Sequence, residues 1–260
     1  MKLNVPTLAQ LSAEGKKASV VFWVGCAGSF DDRAKKITKA FVKILNQTNT
    51  SYAVLGTEET CTGDPAKRAG NEFLFQMQAL MNIEILNSYD ITNIVTTCPH
   101  SYNTLKNEYS DLGGNYKVTH HTEFISDLIK HGKLNLTTDF NYKKITYHDP
   151  CYLGRGNDIY ESPRDLIANL NIDFVEMPRN KRKSFCCGAG GAQMFKEAEN
   201  GKFEINIIRT EEALKTGADV IATGCPFCNT MITDGVKLKN RNREVKVLDL
   251  AELVAQAADL

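Results

Sequence analysis

The sequence predicts an α/β fold made of two repeated, doubly wound (Rossmann-like) halves with mainly parallel sheets. Two observations lead to this prediction. Short apolar runs typical of strands alternate with segments of helical periodicity along the whole chain. The cysteine spacing also repeats, because 35 residues separate Cys26 from Cys61 and 35 separate Cys151 from Cys186. Chance rarely matches spacings together with local motifs, so the chain is predicted to be a duplication.

The first half alternates three strand patterns with three helix patterns. Strands are predicted at residues 18–25, 51–56 and 91–97. Helices are predicted at residues 31–47, 65–87 and 120–131. Pro65 suits the first turn of the second of these helices, where its missing N–H costs nothing. Such alternation favours a parallel sheet with helices on both faces.

The second half repeats the order. Strands are predicted at residues 143–149, 172–177, 218–224 and 245–249. Helices are predicted at residues 162–170, 203–217 and 250–260. The boundary is predicted within residues 133–143, which divides the chain into a repeat at 1–138 with three cysteines and a repeat at 139–260 with five.

Four cysteines directly follow predicted strands: Cys26, Cys98, Cys151 and Cys225. Ligands collect at the carboxyl edge of open α/β sheets, so we expect the cysteines of each half to meet there although they are far apart in sequence. The local motifs also correspond, because residues 96–105 (TTCPHSYNTL) align with residues 223–232 (TGCPFCNTMI). The sequence therefore predicts a site at each sheet edge.

The composition excludes some partners. Thirty-one basic residues balance thirty-one acidic ones, which gives no reason to expect nucleic acid or an anionic membrane surface as a partner. No stretch approaches the roughly 18 consecutive apolar residues of a membrane span, and the N-terminus lacks a signal-peptide pattern. We therefore expect a cytoplasmic protein that reaches a membrane only through a partner. In that compartment eight cysteines indicate metal binding or redox chemistry.

Two kinds of metal site fit the second half. Zinc would need four cysteines, and the two-residue gap between Cys225 and Cys228 suits it. An iron-sulfur cluster has several irons and can use all five, including the adjacent Cys186 and Cys187. The glycines that begin at Gly188 would allow close backbone approach and N–H donation to sulfur, although a plain glycine-rich turn explains them equally well.

Further residues near these cysteines are candidates for supporting roles. A dinucleotide fingerprint is rejected in residues 188–193, because Gln193 occupies the third glycine position and the segment does not follow a strand directly. His148 and Asp149 are candidates to orient ligands or shuttle protons, although such residues are more often structural. Five basic residues could offset the charge of the thiolates or bind an anion, with a solvated basic loop as the alternative: Arg155, Arg179, Lys181, Arg182 and Lys183.

The segments HDPCYLGR, SFCCGAGGAQMF and TGCPFCNTMITDG, in this order and spacing, resemble the cysteine-rich CCG domain family. That family includes the B-type subunit of heterodisulfide reductase and the iron-sulfur subunits of glycolate and lactate oxidising systems. The resemblance covers nearly the whole chain. It implies a noncubane 4Fe-4S cluster held in the second half by Cys151, Cys186, Cys187, Cys225 and Cys228.

The first half departs from the pattern. Thr62 replaces the second cysteine of the pair and Ser101 replaces the last one, which leaves Cys26, Cys61 and Cys98. Three alternatives remain open for this half: a second cluster, a zinc ion, or no metal at all. The fourth ligand of a second cluster would be Ser101, His100 or Asp64.

The expected function is an iron-sulfur oxidoreductase subunit that transfers electrons and in one version reduces a disulfide. No ferredoxin-type cysteine run and no flavin or nicotinamide fingerprint is present in the sequence, so a ferredoxin-like, flavin-containing or membrane-associated partner is implied. The alternatives are a structural zinc-binding interaction subunit and, less favoured, a thiol catalyst with His148 or His100 as its base.

Overall fold

The computed structural model describes residues 3–137, 142–197, 200–239 and 244–260. It confirms the predicted fold class, because the described residues form two four-stranded parallel sheets with helices around them. The predicted boundary between the halves, at residues 138 and 139, lies outside the described residues.

The first sheet contains four strands in the order β2-β1-β3-β4. Its strands are β1 (Val20–Trp23), β2 (Tyr52–Ala53), β3 (Asn93–Thr96) and β4 (Lys117–His120). The helices of this half are α1 (Leu8–Ala13), α2 (Gly25–Phe30), α3 (Ala34–Gln47), α4 (Asp64–Arg68), α5 (Glu72–Ser88), α6 (Pro99–Asn103) and α7 (His121–Lys130). β1 lies in the centre and is fully buried, which explains its continuous apolar run.

The second sheet has the same order, β6-β5-β7-β8. Its strands are β5 (Lys144–Tyr147), β6 (Asp173–Phe174), β7 (Val220–Thr223) and β8 (Lys246–Asp249). The helices are α8 (Gly154–Asn157), α9 (Glu161–Ala168), α10 (Ile205–Leu214), α11 (Pro226–Lys239) and α12 (Leu250–Ala257). The two sheets therefore repeat one topology, as the cysteine spacing predicts.

Several predicted boundaries were wrong. The helix predicted at residues 65–87 is two helices, α4 and α5, because Gly70 adopts a left-handed φ of 87° and Asn71 caps α5 by accepting a hydrogen bond from Leu74 N–H. β4 and α11 were missed, as were the short helices α1, α2, α6 and α8. The strand predicted at 172–177 is only two residues long.

The two halves share one hydrophobic core. It includes Phe22 and Phe41 from the first half and Tyr147, Val220 and Leu253 from the second. α3 packs against α12 across this core. Two polar pairs also join the halves. His121 Nε2 lies 2.9 Å from Asp249 Oδ1, and Arg33 Nη2 lies 2.6 Å from Glu252 Oε2. Among the described residues, no helix has the length and apolarity that crossing a bilayer requires.

Candidate metal centre

The cysteines lie where the parallel strands end. Cys151 follows β5, Cys225 follows β7, and Cys228 lies one turn after Cys225 in α11. Cys26 lies in α2 after β1, and Cys98 follows β3. All eight cysteines have free thiols. Because strand ends meet at one edge of a parallel sheet, residues far apart in sequence come together there.

The five thiols of the second half form one continuous series of contacts. The thiol of Cys151 interacts with that of Cys186, and Cys186 interacts with Cys187. Cys187 in turn interacts with Cys228, and Cys228 with Cys225. Cys187, Cys225 and Cys228 are buried, whereas Cys151 and Cys186 are partly exposed. The structure therefore brings all five predicted residues together in an extended row, with its Cys151 and Cys186 end nearer to solvent.

Two positions in this row favour thiolates. Hydrogen bonds from Cys151 and Cys187, with help from Gly188 N–H, lower the pKa of Cys186 to about 2. Burial opposes ionisation of Cys225, but hydrogen bonds from Cys228 and His100 lower its pKa to about 5. A thiolate is the form of cysteine that binds metal. The row is thus suited to binding positively charged metal at Cys225 and at Cys186.

Gly188 approaches the sulfur atoms with its backbone. Its N–H donates to Cys186 Sγ at 3.3 Å, and its φ of 92° is a value that side chains disfavour. A Cβ at this position would also lie 3.3 Å from Cβ of Ile205. By contrast, a Cβ on Gly190 would meet nothing within 4 Å. Only the first of these two glycines is therefore required by the local geometry.

His148 lies against the row of thiols. One of its ring nitrogens and Sγ of Cys187 and Cys228 lie within 4.8 Å of one another, the one such group of three among the described residues. Burial and the nearby Arg209 lower the pKa of His148 well below its usual value, so the ring is neutral. The histidine thus belongs to the site and not only to the core around it.

Asp149 has a structural role. Both of its carboxylate oxygens accept hydrogen bonds from Arg164, at 2.8 and 3.0 Å, and one also accepts from Lys181 N–H at 2.8 Å. Ser184 Oγ donates to Asp149 O at 3.0 Å. Asp149 therefore joins the loop of Cys151 to the loop of Cys186.

Most of the basic residues singled out in the sequence have partners within the protein. Arg155 donates to Ser184 O, Arg179 pairs with Glu212, and Lys181 pairs with Glu161. Arg182 is exposed and lies 3.9 Å from Asp158. These contacts hold the loop before Cys186 in place. From the sequence we considered these cations as an anion site, and the contacts give them a structural role.

The three cysteines of the first half repeat part of this geometry. Cys26 donates to Cys61, and Gly63 N–H donates to Cys61 Sγ at 3.4 Å, just as Gly188 does to Cys186. Gly63 also has a left-handed φ, of 86°. The glycine loop is thus retained although Thr62 has replaced the second thiol. Cys98 is buried and accepts hydrogen bonds from the N–H and hydroxyl of Ser101.

His100 connects the two half-sites. Its Nδ1 lies 2.9 Å from Asp64 Oδ2, and its ring also donates to Cys225 of the second half. Despite burial, these two partners raise its pKa to about 9. Tyr152 and Phe227 pack against the ring, with centroids 4.3 and 5.0 Å away. Of the proposed fourth ligands, His100 and Asp64 therefore already bind each other.

Sequence reasoning missed the cations that support the site. Arg209 is fully buried in α10 and donates to His148, and Arg164 is bidentate on Asp149. The only available signal was an arginine within the apolar pattern of residues 203–217. An arginine in such a pattern usually has a buried acceptor.

The same sheet edges and cysteines are matched by a family model. CCG, described as a cysteine-rich domain, matches residues 20–106 and again 145–233. The chain belongs to the CCG cysteine-rich domain family. The resemblance found in the sequence is confirmed, and each CCG match covers three strands of one sheet.

Curated relatives of this CCG protein have redox names. A protein named probable iron-sulfur-binding oxidoreductase FadF, from Bacillus subtilis, is 45% identical over 98% of this chain and 36% of its own length. An EtfAB:quinone oxidoreductase of Syntrophomonas wolfei is 42% identical over 96% of this chain and 36% of its own. The D-type component of a heterodisulfide reductase of Methanosarcina barkeri is 32% identical over 94% and 60%. The chain thus spans little more than a third of the first two relatives.

A solved structure supports the fold of this CCG protein. A hypothetical protein from Helicobacter pylori covers 93% of this chain with a TM-score of 0.59 and 9% identity, over 49% of its own length. Similarity at this level of identity concerns the fold alone.

Proposed function

We propose that this CCG protein is an iron-sulfur oxidoreductase subunit that transfers electrons through a cluster in its second half. The observation that carries the proposal is the continuous row of five thiols. Its proposed ligands are Cys151, Cys186, Cys187, Cys225 and Cys228. A 4Fe-4S cluster supplies a centre that accepts and releases an electron. The names of the relatives quoted above agree with this chemistry.

The extent of the row favours a cluster over a single zinc ion. Zinc takes four ligands around one point at roughly 2.0–2.3 Å. Only two of the five sulfurs belong to a group compact enough for one ion, Cys187 and Cys228 with His148. The other contacts lie along a series that continues to Cys151 and Cys225. Several irons can occupy such a series, whereas a single ion would leave thiols unused.

The surrounding residues hold the thiols and exclude water. Gly188 stabilises the Cys186 thiolate with its N–H, and Asp149 fixes the two loops that carry Cys151 and Cys186. Phe227 belongs to the same buried cluster as Cys187, Cys225 and Cys228. Low water access strengthens the effect of each hydrogen bond on the sulfur atoms. The chain thus holds the thiols in largely buried surroundings with hydrogen bonds to their sulfur atoms, which suits the binding of a cluster.

Electrons would arrive from another redox centre. We propose that this centre belongs to a ferredoxin-like, flavin-containing or membrane-associated partner. Electron relay agrees with the name EtfAB:quinone oxidoreductase. The heterodisulfide reductase relatives favour disulfide reduction as a second candidate, in which two electrons and two protons convert a disulfide to two thiols.

A second metal site in the first half is part of the same proposal. Cys26, Cys61 and Cys98 supply three thiols, and the glycine loop after Cys61 repeats the one after Cys187. Because His100 lies between the half-sites, metal bound at either would affect the other.

The test is metal analysis of protein purified without oxygen. Iron, acid-labile sulfide and zinc are measured per chain, and an electron paramagnetic resonance (EPR) spectrum is recorded through a redox titration. About four irons with sulfide indicate one cluster and about eight indicate two. Cys187→Ser should lose the cluster iron of the second half, whereas Cys61→Ser should lose only the metal that is bound in the first half. Zinc without sulfide would refute the proposal.

A further inference from the structure

His148 is buried in contact with a cation and close to the proposed cluster ligands. It follows β5 and is only 1% exposed. On one side of its ring, Arg209 Nε donates to Nδ1 at 3.0 Å. One of its ring nitrogens also lies in a group with Sγ of Cys187 and Cys228, in which the three atoms are within 4.8 Å of one another. This arrangement decides which ring nitrogen carries the proton.

Arg209 cannot turn away from the histidine. Its guanidinium is fully buried, and Nη1 donates to Arg179 O at 2.9 Å and to Glu212 Oε2 at 3.0 Å. Nη2 donates to Ser184 Oγ at 3.4 Å. A guanidinium has five N–H donors and no acceptor. Nδ1 of His148 must therefore be an acceptor, and the proton of the neutral ring lies on Nε2.

Nε2 of His148 is a buried donor without a hydrogen-bond partner among the described residues. An unpaired buried donor costs about 1–3 kcal/mol, so an acceptor is expected at this position. A histidine that binds a metal through Nε2 normally donates from Nδ1 to an acceptor. Here Nδ1 faces a donor instead. Because Arg209 holds Nδ1, Nε2 is the ring atom left to meet a sulfur acceptor, and it offers an N–H and not a lone pair.

We infer that His148 donates an Nε2–H hydrogen bond to a sulfur of the cluster and that Arg209 is the positioning residue that fixes this tautomer. The inference rests on the proposed function, because it requires a cluster bound by the neighbouring cysteines. Hydrogen bonds to cluster sulfurs stabilise the reduced form, which carries more negative charge. His148 therefore raises the reduction potential of the cluster, and it is not an iron ligand.

The experiment compares variants of the whole protein, purified without oxygen. His148→Leu removes the donor, His148→Gln retains an N–H, and Arg209→Lys loses the planar donor that fixes the tautomer. His131→Gln changes an exposed histidine and is the control. Iron and sulfide per chain are measured first, and then the midpoint potential is measured by an EPR-monitored titration. A wild-type protein without iron and sulfide would overturn the proposed function and this inference with it.

With the cluster present, His148→Leu should keep its iron and shift the ratio of reduced to oxidised cluster about tenfold toward the oxidised form at the wild-type midpoint. That shift equals about 59 mV for a one-electron couple. His148→Gln should recover part of it, Arg209→Lys should show a smaller shift in the same direction, and His131→Gln should show none. An unchanged potential in a fully loaded His148→Leu protein would overturn the inference.

If His148→Leu loses its cluster, the role of His148 is decided by a measurement on the wild-type protein. Pulsed EPR of protein labelled with ¹⁵N-histidine distinguishes a hydrogen bond from iron ligation. A weak nitrogen coupling, absent from His148→Gln, with an exchangeable deuteron near the cluster supports donation by Nε2. A strong coupling of a directly bound nitrogen, or no coupling that depends on His148, contradicts it.

Discussion

Neutralising Asp149 should destabilise both the fold and the metal centre. In Asp149→Asn the side chain keeps its size but loses its charge, and Arg164, whose side chain is only 10% exposed, loses its bidentate partner. Breaking a buried ion pair costs about 3–5 kcal/mol. Glu176 remains 2.7 Å from Arg164, so we expect the lower end of this range, about 3 kcal/mol. That loss lowers the ratio of folded to unfolded protein by a factor of about 150.

The assay is denaturant unfolding of metal-free protein in the absence of oxygen, with iron content measured separately on protein as purified. Iron should fall as well, because Asp149 joins the loops of Cys151 and Cys186. The matched control is Asp165→Asn, since Asp165 pairs with Lys130 at 3.1 Å on the surface. This variant should lose less than about 1 kcal/mol of unfolding free energy. If Asp149→Asn is as stable as the control, the role assigned to Asp149 is wrong.

Three further predictions concern other parts of the structure. Gly188→Ala should lose about 1–2 kcal/mol of unfolding free energy and part of its iron, because residue 188 has a left-handed backbone. Gly190→Ala should match the wild type in unfolding free energy and in iron content. Burial raises the pKa of Glu59 to about 7, above its unfolded value near 4.5. The free energy of unfolding of metal-free protein should therefore fall as the pH rises from about 4.5 to 7. Glu59→Gln should lack this pH dependence, and an equal pH dependence in both proteins would contradict a raised pKa of Glu59. Arg33→Met should lose about 3 kcal/mol, because the Glu252 carboxylate keeps its hydrogen bond from Asp249 N–H but loses its cationic partner. Adding Glu252→Gln should recover most of this loss, as a double-mutant cycle by thermal or denaturant unfolding can check.

The sequence was sufficient to predict most strands and long helices, because their apolar periodicity is a local property. It failed at β4, a four-residue edge strand with an exposed Lys117 and a weak apolar pattern. It also failed at α11, where Gly235 interrupts the helical pattern. Gly235 is required because a Cβ there would overlap Thr210 of α10, and nothing within α11 reveals that contact. Tertiary packing therefore decided these two elements.

For the candidate site, the sequence by itself determined the repeat, the residue types and the positions of the cysteines after strands. Those properties depend only on residue type and on spacing along the chain, and the sequence gives both directly. Only the tertiary structure decided the order in which the thiols contact one another, the bond of His100 to Cys225 across the halves, and the pairing of His148 with Arg209. The last two contacts join residues 125 and 61 positions apart, and their geometry depends on how two sheets and their helices pack. The pattern of cysteines thus indicates the kind of chemistry, while the packing around it sets the hydrogen bonds that tune that chemistry.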